Sequence, residues 1–86
     1  MTDSLLEFPC EFPIKMMGRD NVGFRDAAVR IIERHTGPID DQAIRESTSS
    51  QGNFLAITVT IMATSQDQLD NIYRDLSDHE LVLVAL

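Results

Sequence analysis

Two hydrophobic periods alternate along this 86-residue chain, and the points where one replaces the other mark its elements. From Glu11 to Met17 the period is two. Phe12, Ile14 and Met16 share one face and Pro13, Lys15 and Met17 the other, which predicts a first strand. Beyond it, Phe24, Ala27, Ala28, Ile31 and Ile32 recur at helical spacing, an amphipathic stripe. Asn21 stands before that helix as an N-cap, Gly37-Pro38 stops it, and Arg34 and His35 in its last turn oppose the dipole favourably. The segment from Ala43 to Ser49 is polar and weakly patterned, an exposed edge strand, and Ser50 to Asn53 form a turn. Phe54 to Ala63 carries the strongest strand pattern, with Leu55, Ile57, Val59 and Ile61 on one side and Thr58 and Thr60 on the other. Ser65 to Gln68 has the spacing of a capping box and opens a second helix with Leu69, Ile72, Tyr73 and Leu76 on one face. The apolar run from Leu81 to Leu86 reads as a last strand.

The order is therefore β-α-β-β-α-β, an α+β chain. Two helices must cover one sheet face, and crossovers between parallel strands are right-handed. The compact solution is a ferredoxin-like sandwich: a four-stranded antiparallel sheet, first and third strands central, with both helices on one face. Residues 1–10 are expected to form an extended arm and residues 11–86 a single domain. Leu5, Leu6 and Phe8 would pin the arm, and Pro9 blocks helix continuation. The last strand belongs on an edge yet is apolar on both faces, a hazard unless covered. The arm or a second subunit is expected to cover it, making Leu5, Leu6, Phe8, Val82 and Val84 the partner-binding residues; the alternative is that the strand leaves only a modest exposed apolar patch.

Composition narrows the function. Acids outnumber bases 14 to 7, a formal charge of -7. Nucleic acid and anionic membranes both require clustered positive charge, so neither is an expected partner. Cys10 is the sole cysteine, which excludes an internal disulfide and fits a reducing compartment. The first residues lack a basic segment followed by an apolar one, as a signal peptide would require, so a cytoplasmic location is expected. His35 and His79 are the only histidines and form no metal-spaced pair, while Asp67, Asp70, Asp75 and Asp78 have no cage spacing. Neither metal nor cofactor is expected, and no residue set supports catalysis.

One stretch has a physical rationale for small-molecule binding: Gly18, Arg19, Asp20, Asn21 and Gly23, between first strand and first helix. Glycine permits close approach, and the amides opening a helix suit a carboxylate. The structural alternative is that Asp20 and Asn21 only cap the helix and the glycines make a tight turn. The run Gly18 to Phe24 resembles the G-x-D-x-x-G-(apolar) signature of ACT domains, ferredoxin-like regulatory modules that bind amino acids at that loop, usually across a subunit interface. The resemblance implies that Asp20 and Asn21 line a pocket and that Gly18 and Gly23 give backbone access. Val22-Gly23-Phe24-Arg25 also resembles the V-G-F-R run of acylphosphatases, in which the arginine fixes a phosphate. The glycine-rich lead-in of that family is absent, and Gly37-Pro38-Ile39-Asp40 stands where its asparagine would be.

Taken end to end, the chain resembles the YbeD-like family of small uncharacterised bacterial proteins. Leu5-Leu6-Glu7-Phe8-Pro9, Phe12 to Gly18, Arg34-His35 and Gly52-Asn53-Phe54 running through to Thr64 carry the likeness. It implies an ACT-like fold without an established activity. The leading expectation is a non-enzymatic regulatory module that senses a small metabolite such as an amino acid at the first strand–helix loop. The alternative is a protein–protein adaptor using the last strand and the arm. A remote third is an acylphosphatase-like hydrolase dependent on Arg25.

Overall fold

A computed structural model describes residues 7–19, 22–48 and 53–86. The chain runs β1 (Cys10–Arg19), α1 (Val22–Thr36), a 3-10 turn (Asp41–Ala43), β2 (Ile44–Thr48), β3 (Phe54–Ala63), α2 (Gln66–Asp78) and β4 (Val84–Ala85). The four strands form one antiparallel sheet in the order β2-β3-β1-β4, which places the two strands of strict alternation at its centre. This is the ferredoxin-like arrangement expected from the element order.

The inward positions of β1 and β3 meet the apolar stripes of both helices. Ile14, Met16, Leu55, Ile57, Val59 and Ile61 pack there with Phe24, Ala28, Ile31 and Ile32 of α1 and Leu69, Ile72 and Leu76 of α2. No polar or charged side chain is buried among the described residues. Ala27, expected on the buried stripe, is only half-buried at its margin.

The helix ends follow their local chemistry. Gly37 closes α1 with φ +84° and donates to the Glu33 carbonyl (2.8 Å), a left-handed cap that residues with a Cβ adopt at a cost. The Ser65 hydroxyl accepts from the Gln68 amide (3.0 Å), one half of the expected capping box. The other half is redirected. The Gln68 side chain accepts from the Thr64 amide (2.8 Å) and donates to the His35 carbonyl (3.0 Å), so it ties the start of α2 to the end of α1.

Element limits differ from the periodic reading mainly at the end of the chain. The expected six-residue strand is two residues long, because residues 79–82 turn back on themselves. Val82 N donates to the His79 carbonyl (3.1 Å) and Leu81 N to His79 Nδ1 (3.1 Å), which takes both amides out of the ladder. Conversely β1 runs three residues longer than expected, from Cys10 through Arg19, and Phe8 packs against the core just before it. The expected boundary between arm and domain thus falls at the first residues of a strand already packed on the core.

Candidate functional site

Of the five residues expected at the strand–helix junction, three are described, and they stand on different elements and faces. Gly18 lies inside β1 opposite Leu55, facing the core, whereas Arg19 points to the opposite side of the sheet. Gly23 is the second residue of α1. Asp20 and Asn21 lie outside the described residues. A Cβ on Gly18 would stand 2.6 Å from the Leu81 carbonyl oxygen and 2.7 and 2.8 Å from two carbons of the Phe24 ring. This glycine therefore exists for close internal packing. On its core-facing side Gly18 is closed over by Leu81 and Phe24.

Arg25, the cation of the hydrolase reading, is engaged by acids on a neighbouring element. Its guanidinium bonds the Glu46 carboxylate of β2 and lies 3.8 Å from Asp41. His35 Nε2 is 2.7 Å from Asp75 Oδ2, joining α1 to α2. Cys10 is a half-buried free thiol at the start of β1. Among the described residues no three histidine, cysteine or acidic side chains gather as a metal site, and no helix is long and apolar enough to cross a membrane.

The prominent feature lies on the other side of the sheet, which no helix covers among the described residues. Strand alternation places Lys15, Met17 and Arg19 of β1, Ala56 and Thr58 of β3 and Val84 of β4 on this outer face. Met17 and Val84 are each 43% exposed and Leu86 72%. Together with Lys15, Ala56 and Thr58 they line a shallow, almost wholly apolar groove of about 210 Å³. Leu86 is held there by a reciprocal pair of backbone bonds with Lys15 (3.1 and 2.7 Å) and by the Tyr73 hydroxyl, which donates to its carbonyl (2.6 Å). Burial raises the Tyr73 phenol above its ordinary pKa. Arg19 covers the margin of the face, its guanidinium 5.8 Å from the centroid of the Phe54 ring.

Of the residues expected to bind a partner, Val84 is on this face. Val82 is not. At 7% exposure it belongs to the core, because the turn that removes its amide from the ladder drives its side chain inward. Phe8 is half-buried against the core, and Leu5 and Leu6 lie outside the described residues. The periodic reading missed the groove itself. Its signal was present in Lys15 and Met17, which alternation already assigned to the second face of the first strand.

A family profile described as "Protein of unknown function (DUF493)" matches residues 3–86. A UPF0250 protein of Paraburkholderia phytofirmans is 42% identical over 86 residues, covering 100% of this chain and 97% of the relative. The UPF0250 protein NE1487 of Nitrosomonas europaea is 40% identical over 84 residues, covering 98% and 97%. Among solved structures, that of protein HP0495 from H. pylori superimposes with a TM-score of 0.72 over 96% of this chain and 87% of the other, at 15% identity. At that identity the likeness speaks for the fold alone.

Proposed function

This chain belongs to the family of proteins of unknown function DUF493, and on that footing we propose that it is a non-enzymatic binding module acting on a partner protein through the outer face of its sheet. The observation that carries the reading is the uncovered groove between Met17, Ala56, Val84 and Leu86. Single exposed apolar residues are ordinary, whereas Met17, Val84 and Leu86 stand together on one face of the sheet, which supports reading it as a contact surface. The engagement of Arg25 by Glu46 and Asp41 supports the non-enzymatic half, since an arginine held by two carboxylates is a poor receptor for a phosphate. The filled space beneath Gly18 favours a protein contact over amino-acid sensing at the junction.

Co-purification with a tagged chain, followed by reconstitution from the isolated partner, tests this. Met17→Glu and Val84→Lys each abolish the reconstituted complex, whereas Asp20→Ala leaves it intact. A complex that survives both groove variants refutes the proposal.

A further inference from the structure

The outer face is ordered in rows by the strand register. One row runs Arg45, Thr58, Lys15, Leu86 across all four strands. The next runs Ser47, Ala56, Met17, Val84. The third pairs Phe54 with Arg19. Successive rows on one face are two residues apart, about 6.7 Å along the strands. An apolar row is thus bracketed by cations on both sides, in rows about 13 Å apart.

The sign of that charge opposes the rest of the protein. Although the chain carries -7, the strand residues of this face contribute Lys15, Arg19 and Arg45 against the single acid Glu11. The two helices hold six acids, Asp26, Glu33, Asp67, Asp70, Asp75 and Asp78, against four arginines, Arg25, Arg30, Arg34 and Arg74. Among the described residues none of the three outer cations is paired with a carboxylate.

Resting on the protein-contact reading above, we infer that the occupant of this face is an acidic amphipathic helix of a partner protein, its apolar stripe on the Met17 row and carboxylates on both flanks. A helix is 10–12 Å across and presents flanking side chains on either side of its stripe, which matches the spacing of the cationic rows. An extended segment cannot do this, because its successive side chains point to and away from the sheet, which leaves its acids in solvent. Helix α2 of a second copy cannot serve either, because its apolar stripe of Leu69, Ile72 and Leu76 is already buried, and two outer faces set together would oppose cation to cation. A nucleic acid would use the cations but leave the apolar row without a partner.

The test uses three 14-residue helical peptides with one leucine stripe and Glu, Gln or Lys on its flanks, measured by fluorescence anisotropy with amide shifts to locate binding. The Glu peptide binds at least tenfold tighter than the Gln peptide at low salt, shifts residues of the outer face, and weakens at high salt. Lys15→Glu/Arg19→Glu/Arg45→Glu, all exposed positions, reverses the preference toward the Lys peptide. Equal binding of Glu and Gln peptides, indifferent to the triple variant, overturns the acidic helix while leaving an apolar protein contact standing. Binding of none of the three overturns it as well, whatever partner the groove variants release. Shifts at the same face on adding oligouridylate, without any from the Glu peptide, overturn it in favour of nucleic acid.

Discussion

Replacing Gly18 by alanine asks whether the junction is packed shut or open. The added methyl would stand 2.6 Å from a backbone carbonyl oxygen and 2.7 and 2.8 Å from the Phe24 ring, against about 3.5 Å for a relaxed contact. Neither neighbour yields easily. The carbonyl belongs to Leu81, beside the turn that buries Val82, and Phe24 is fully buried. Overpacking of this kind costs about 1–3 kcal/mol, and three short contacts at once place it in the upper half. Alanine also restricts the unfolded chain, which returns about 0.4–1 kcal/mol. The net loss is about 1–2.6 kcal/mol. With a urea slope of about 1–1.5 kcal/mol/M for a chain of this size, the midpoint falls by roughly 0.7–2.6 M. Gly37→Ala is the control: it has nothing within 4 Å but a φ of +84°, so it loses about 1–2 kcal/mol through backbone conformation alone. Phe24→Leu separates the two. In that background the Gly18→Ala penalty shrinks by at least about 0.5 kcal/mol, because two of its three clashes are with the ring, while the Gly37→Ala penalty is unchanged. A Gly18→Ala protein as stable as the parent, or one whose penalty ignores Phe24, would mean that the ring does not fill this space. The backbone of Gly18 would then be open to a ligand after all.

Other consequences are as direct. Val82→Lys forces an ammonium into the core and costs several kcal/mol, enough to unfold much of a small domain, whereas Val84→Lys changes stability by no more than about 0.5 kcal/mol; circular dichroism melts distinguish them, and equal melts would contradict the inward turn at Val82. Because burial raises the Tyr73 phenol, the folded state holds that proton more tightly than the unfolded one. Stability is therefore undiminished below pH 10 and falls as pH rises through the folded-state pKa. Tyr73→Phe removes this component of the alkaline loss and, by deleting the bond to the Leu86 carbonyl, costs about 0.5–1.5 kcal/mol at neutral pH; parallel alkaline profiles for parent and variant would refute it. Arg25→Ala, at an exposed ion pair, lowers stability by less than about 1 kcal/mol and leaves any acyl phosphate hydrolysis in the preparation unchanged, a result that turnover dependent on Arg25 would overturn.

The core was legible in the sequence because burial on one face of a strand or helix writes itself into the sequence as a period. Phe24, Ile31, Ile32, Ile57, Val59, Leu69 and Ile72 were assigned inward by spacing alone, and all are buried. The central position of the two alternating strands followed from the same pattern. The candidate site was less legible. Gly18 and Arg19 are neighbours in sequence, and a loop motif groups them, yet a strand sends them to opposite faces. The last apolar run could not disclose its own turn, since Val82 and Val84 are identical in chemistry and differ only in the bonds their backbones make.

By itself, then, the order of residues determined the element succession, the buried stripes and the excess of acid, all of which are local or additive properties. Tertiary structure alone decided that Phe24 and the Leu81 carbonyl close over Gly18. It also decided that Arg45, Lys15 and Leu86, far apart in sequence, form one row beside Met17. Register between strands is a long-range property: the pattern of a single strand fixes which of its faces is buried, but which residues stand opposite one another depends on the backbone groups that pair across the sheet.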